Sequence, residues 1–260
     1  MREILKVENL EVEYKNKVKA LKGVSFKVYE REILGIVGES GCGKSTLALS
    51  LGNLLPSSAI RKGKIFFEDK DIFSLKEEEL AKLRGKKMNF IFQSPYDSFD
   101  PIETIGSQFR EFLKEKLKEK ERIEKVIHDS LEKVRIENIK EILKSYPHQL
   151  SGGELQRISI AFAISTSPSL LIADEPTSNL DVTVESQIAH LFLELRNLFA
   201  LTIIFITHNL ELAKVVCDRI AVIYQGELVE INTREEIFKN PKNPYTKFLV
   251  NSFKRLSDAS

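Results

Sequence analysis

Cysteine is nearly absent from this 260-residue chain: Cys42 and Cys217 are the two, far apart and outside any C-x-x-C spacing. That argues against a disulfide framework and a cysteine-built metal site, and it suits a reducing, cytoplasmic compartment. An excess of one charge is also missing. Lys plus Arg number 39 against 38 Asp plus Glu, a formal net charge of +1, so nothing global points to a nucleic-acid surface and no nucleic-acid partner is expected. Long apolar runs are lacking too: no stretch approaches the roughly 18 to 20 residues that span a bilayer. The start, Met1-Arg2-Glu3-Ile4-Leu5-Lys6, has no apolar core of the signal-peptide kind. The expectation is a protein that meets a membrane through a partner.

What is present begins with Gly38-Glu39-Ser40-Gly41-Cys42-Gly43-Lys44-Ser45-Thr46, between the apolar run Ile33 to Val37 and the helix-like Leu47-Ala48-Leu49. It fits G-x-x-x-x-G-K-[ST] in full, in the strand-before, helix-after context the chemistry needs. Backbone N–H groups of such a turn, together with a helix N-terminus, cradle anions. Lys44 can then reach β and γ phosphates and the Ser45 hydroxyl can ligate Mg²⁺, so the stretch reads as a nucleoside-triphosphate site. Upstream, Leu5 to Tyr14 and Gly23 to Val28 read as strands. Tyr14 is either an ordinary strand aromatic or a platform for adenine.

Downstream, Gly63 to Phe67 and Met88 to Phe92 read as strands, with a brief charged helix over Lys76 to Arg84 between them. Gln93, at the exit of the second, is an amide placed to face a metal or water near phosphate, or simply a turn residue. From Ile102 to about Lys144 the character changes to charge-dense amphipathic helix, with Phe109, Phe112, Leu113, Ile123 and Ile127 at spacings near three and four. Lys114 to Lys125 alternates acids and bases in short blocks, more like a solvated helix than a nucleic-acid footprint. Ser151 then caps a helix through Ile164, and Glu154 completes a capping box. Gly152 and Gly153 leave its positive end bare, a second anion-binding candidate that one triphosphate does not need and two shared molecules would.

Leu170 to Glu175 is an apolar run that ends in two carboxylates, as a buried parallel strand presents groups at its carboxyl end. Asp174 suits the Mg²⁺ shell, directly or through water, and Glu175 can orient or deprotonate an attacking water. A helix follows from Asn179-Leu180-Asp181 to about Leu198. The strand Leu201 to Ile206 delivers Thr207-His208, where an imidazole can sense a γ phosphate or serve a structural role. A short helix over Glu211 to Cys217 and a hairpin turning at Gln225-Gly226 follow. Pro244-Tyr245-Thr246 opens a final helix that carries no evident chemistry, and Asp258-Ala259-Ser260 is expected to fray.

In this order the motifs resemble the nucleotide-binding subunit of ATP-binding-cassette (ABC) transporters over essentially the whole chain. Gly38 to Ser45 looks like Walker A, Gln93 the Q-loop, Leu150 to Gln156 the family signature, and Leu170 to Asp174 Walker B. Glu175 looks like the catalytic glutamate, Ser178 to Asp181 the D-loop and His208 the switch histidine, while Tyr14 matches the aromatic adenine-platform position. The resemblance implies an α/β P-loop fold: a RecA-like core, an N-terminal antiparallel β subdomain, a helical subdomain at about 102–165 and a short C-terminal extension at about 232–260. It implies ATP and Mg²⁺, with Lys44, Gln93, Glu175 and His208 in catalysis. It further implies a second ABC ATPase subunit that completes two ATP sites with its own Ser151-Gly152-Gly153 counterpart, two integral-membrane permease subunits and, indirectly, an external binding protein.

Ile91 to Pro101, Tyr146 to Gly153 and Asn243 to Thr246 are similar to the dipeptide/oligopeptide and nickel uptake branch, some members of which serve oligosaccharides. Glu154 stands where such importers more often have Gln, and Asn179 where they more often have Ala; neither removes a phosphate ligand. Many relatives also continue into a cysteine-bearing tail, and with no cysteine after Tyr245 no iron–sulfur cluster is expected. The alternative reading is a cassette ATPase of nucleic-acid repair or translation. The long coiled-coil insertions, zinc cysteines or paired cassettes of those relatives are not evident in this sequence.

Overall fold

Two sheets share the work of placing the site, one antiparallel and one mostly parallel. In the computed structural model, residues 2–15, 17–117 and 119–257 are described; the expected fraying at 258–260 lies outside them. The first sheet has the order β2-β1-β4-β5, from β1 (Glu3–Glu13), β2 (Lys19–Tyr29), β4 (Ile60–Phe67) and β5 (Lys70–Asp71). Strands β1 and β2 pair antiparallel from Glu3↔Tyr29 to Glu13↔Lys19. Strand β2 therefore begins four residues before the Gly23 that the side-chain pattern marks, because backbone pairing continues through polar Lys19 and Lys22.

The second sheet has the order β10-β9-β3-β8-β7-β6, drawn from β3 (Ile33–Val37), β6 (Met88–Ile91), β7 (Leu170–Asp174), β8 (Thr202–Thr207), β9 (Arg219–Tyr224) and β10 (Glu227–Thr233). All pairings are parallel except β9 with β10. The period of two divides this sheet between two cores. Leu34, Ile36, Leu170, Ile172, Ile204 and Ile206 enter the core shared with the antiparallel sheet and the helix that starts at Lys44. Ile33, Val37, Leu171, Ala173, Ile203 and Phe205 face the helices. Burial on both faces explains why these strands are continuous apolar runs rather than alternating ones.

The helices are α1 (Lys44–Leu51), α2 (Glu77–Leu83), α3 (Ile105–Lys114), α4 (Lys120–Lys133), α5 (Ile139–Ile142), α6 (Gly152–Ile164), α7 (Val182–Phe199), α8 (Leu210–Val216), α9 (Arg234–Lys239) and α10 (Pro244–Ser257). The charged run Lys114 to Lys125 is not one helix: α3 stops at Lys114 and α4 starts at Lys120. A break lets α4 fold back onto α3 and α6, so that Phe109, Leu113, Ile123 and Ile127 all enter one core. A straight rod would leave one of those pairs in water. At the centre Phe162 of α6 stacks on Phe109 at 3.8 Å and meets Phe99 edge-on at 5.3 Å. The ion pair of Arg110 with Glu124, at 2.6 and 3.1 Å, clasps α3 to α4 from outside.

Candidate nucleotide site

Every parallel strand of the second sheet delivers its carboxyl end to the same edge, where ligands bind in open α/β sheets. After Val37 of β3 the chain must turn tightly under its neighbours. A Cβ at Gly38 would stand 2.2 Å from the carbonyl oxygen of Ile223, and one at Gly43, with φ +110°, would stand 2.5 Å from that of Ala20. Only glycine passes both points. Gly43 is the N-cap of α1 and offers no side-chain oxygen to the first amides of that helix, which remain available to an anion. Lys44 is buried, and its Nζ donates to the carbonyls of Gly38 and Glu39 at 2.9 Å each.

The other chemistry-bearing residues converge on Glu175, one step past the end of β7. Its carboxylate lies 3.8 Å from Lys44 Nζ and 3.1 Å from His208 Nδ1, and it accepts a hydrogen bond from Gln93 Nε2 at 3.4 Å. Four strand ends, β3, β6, β7 and β8, thus meet at one acid. Glu175 takes φ +47°, unusual outside glycine, and its amide donates to the Ile206 carbonyl at 3.0 Å. Asp174, one residue earlier, is buried. Burial pushes its carboxyl pKa up, against the pull of a hydrogen bond from Ser45. Its Oδ1 is buried with no partner among the described residues. An unpartnered buried carboxylate oxygen beside a hydroxyl is a hard-oxygen donor set of the type Mg²⁺ prefers.

Tyr14 brings its hydroxyl to 3.1 Å from Thr46 Oγ1. Together with Ser40 to Thr46, Gln93 and Glu175 it lines a cleft of about 680 Å³. Residues that the sequence does not assign to the site complete the wall: Val18 to Ala20 and Lys22 from β2 and its approach, and Gln225-Gly226, legible only as a turn, between β9 and β10. No local signal marks them, because their role comes from a sheet edge that folds over the loop. Gly38, Glu39, Asp174 and His208 are not among the residues that line the cleft.

Ser151, Gly152 and Gly153 are not brought to this cleft. Their helix end packs instead on the start of α7: a Cβ at Gly153 would meet Val184 Cγ1 at 2.9 Å, and one at Gly152 would meet Leu180 Cδ2 at 3.4 Å. Ser151 donates its hydroxyl to Glu154 at 2.7 Å and accepts from the Glu154 amide at 3.3 Å, the expected capping box. The segment after Glu175 joins the Gln93 loop through Ser178 Oγ, which donates to the Gln93 carbonyl at 3.2 Å. A second hollow of about 460 Å³ opens between β6, α3 and α6; its lining includes Phe92, Phe112 and Phe162, with Asp100, Glu103 and Glu111 around them.

Known proteins resemble this chain in sequence and in fold. The family model described as ABC transporter matches residues 21–178, and one described as oligopeptide/dipeptide transporter, C-terminal region, matches residues 229–260. The dipeptide transport ATP-binding protein DppD of Bacillus subtilis is 44% identical over 262 residues, covering 98% of this chain and 78% of that protein. The oligopeptide transport ATP-binding protein OppD of the same organism is 40% identical, covering 98% and 73%. Among solved structures, an ATP-binding cassette, MJ0796, in a dimeric post-hydrolysis state bound to ADP and Pi superposes with a TM-score of 0.79 at 28% identity, over 89% of this chain and 99% of that one. CbiO1 of Clostridium perfringens, part of the ABC transporter complex cbiONQ, gives 0.81 at 27% identity, over 99% and 100%.

Proposed function

Since this chain belongs to the ABC transporter ATP-binding family, and so binds and hydrolyses ATP, we propose that it drives a permease for the uptake of dipeptides or oligopeptides. The observation that carries the catalytic reading is the meeting of Lys44, Gln93 and His208 on Glu175. Tyr14 stacks on the adenine, and the amides of Gly38 to Thr46 hold the phosphates with Lys44. Glu175 takes the proton of the water that attacks the γ phosphorus as the bond to the ADP oxygen breaks. His208 and Gln93 orient that carboxylate and read whether a γ phosphate is present. Ser45 and Asp174, with Gln93 beside them, would hold Mg²⁺, which when bound neutralises charge building on the phosphates.

The helix end at Ser151-Gly152-Gly153 is not brought to the Lys44 cleft of its own chain, which supports its use by a second ABC ATPase subunit, identical or homologous. Two such chains, head to tail, would enclose two ATP molecules. The helical subdomain at about 102–165 and the phenylalanine-lined hollow beside Gln93 suit a cytoplasmic helix of each of two permease subunits, with an external binding protein acting at a distance. Among the described residues no helix is long and apolar enough to cross a membrane, which supports a peripheral place on the cytoplasmic face. Peptides rather than nickel or oligosaccharides are favoured by the match at residues 229–260. Purification of the tagged chain from detergent-solubilised membranes tests the reading. Two permease subunits and a second ATPase are the expected companions; ribosomes or DNA without a permease would overturn it.

A further inference from the structure

The Pro-Tyr-Thr segment at the head of α10 has no part in the catalysis just described, yet its placement gives it one. The amides of Lys242 and Asn243 each donate to the Glu230 carboxylate at 2.9 Å, and the Tyr245 amide donates to Asn243 Oδ1 at 2.8 Å. Thr246 is fully buried beside them. So anchored, the Tyr245 ring stacks on Tyr224, with centroids 4.0 Å apart and planes at 29°. Tyr224 ends β9, and that end touches the phosphate loop twice. The Ile223 carbonyl is the atom against which Gly38 is pressed, and the amide of Gly226, two residues past Tyr224, donates to the Cys42 carbonyl at 3.0 Å. The Tyr245 hydroxyl is buried without a hydrogen-bond partner among the described residues. Burial and then the charge of Glu39 push its pKa up to about 12. Glu39 also gives its carbonyl to Lys44 Nζ.

We propose that Tyr245 is a positioning residue for the phosphate loop: its ring, stacked on Tyr224, holds the end of β9 against Gly38 and Cys42. The inference rests on the assignment of Gly38 to Thr46 to the phosphates. It gives the C-terminal segment a direct influence on nucleotide affinity without contact with nucleotide.

Equilibrium titration with ADP and Mg²⁺ tests this, because ADP binding to one chain needs no second subunit. Tyr245→Leu, which keeps apolar bulk and loses the stack, is expected to bind about fivefold to tenfold more weakly, the size of an aromatic pair. KM for ATP should rise by the same factor with kcat nearly unchanged, a split that general destabilisation does not produce. Tyr245→Phe should restore wild-type affinity, and Phe248→Ala, on the exposed face of α10, should leave it unchanged. Wild-type affinity in Tyr245→Leu would overturn the proposal. If that variant does not fold, Tyr224→Leu removes the same stack from the other side, with the same loss expected and the same meaning if affinity is kept. Lys44→Ala separates the two readings: undiminished ADP binding there would overturn the phosphate-site assignment itself.

Discussion

Glu175 combines a left-handed backbone, a buried aspartate before it and three polar neighbours around its carboxylate. Such a backbone costs on the order of 1–3 kcal/mol and persists only where its surroundings hold it. Here the hydrogen bond from its amide to the Ile206 carbonyl does so, and the result is a carboxylate between Lys44 and His208. Glu175→Gln keeps the shape and the Gln93 contact while removing the base. Phosphate release should fall by about 10²- to 10⁴-fold with ATP still bound, measured by steady-state turnover beside nucleotide titration. Gly43→Ala tests the loop itself. With φ +110° and a carbonyl 2.5 Å from the new Cβ, it should lower stability by about 1–3 kcal/mol and abolish tight nucleotide binding, read by urea unfolding and titration.

At the scale of elements, the helices over residues 105–164 depend on a small aromatic core. Phe109 is fully buried and stacked on Phe162, so Phe109→Ala should cost about 3–5 kcal/mol, seen as a lower urea midpoint. The clasp between α3 and α4 has a pH signature. The Arg110 hydrogen bonds hold the Glu124 carboxyl below its ordinary 4.5. A carboxyl whose folded pKa is depressed contributes stability above the unfolded value, and that contribution is lost as pH falls through the folded one. Both side chains are partly exposed, so Glu124→Gln should cost only about 0.2–1 kcal/mol at neutral pH. The difference from wild type should vanish in urea titrations carried below the carboxylate range. Legibility in the sequence also divides along elements. The strands of the parallel sheet and the residues at their ends stand out because burial on both faces makes apolar runs, and phosphate chemistry fixes spacing. The break between Lys114 and Lys120, the reach of β2 back to Lys19, and the wall formed by Lys22 and Gln225-Gly226 leave no such trace. They are set by what packs against them, and nothing adjacent in sequence reports it.

On the scale of the whole molecule, the two stretches proposed to hold phosphate do not meet within one chain. The cleft at Lys44 and Glu175 lies at the sheet edge, and the helix end at Ser151 to Gly153 packs on Leu180 and Val184. Ser178, two residues before Leu180, donates to the carbonyl of Gln93, which lines the cleft. In the proposed reading a lone chain holds nucleotide on one side only, and closure by a second chain joins the halves. Sedimentation of the Glu175→Gln protein with ATP and Mg²⁺ tests that claim most directly. The account predicts a shift to a dimer, with itself or with its cognate second ATPase subunit, that disappears when ATP is replaced by ADP; a protein that stays monomeric with ATP in both cases would contradict it.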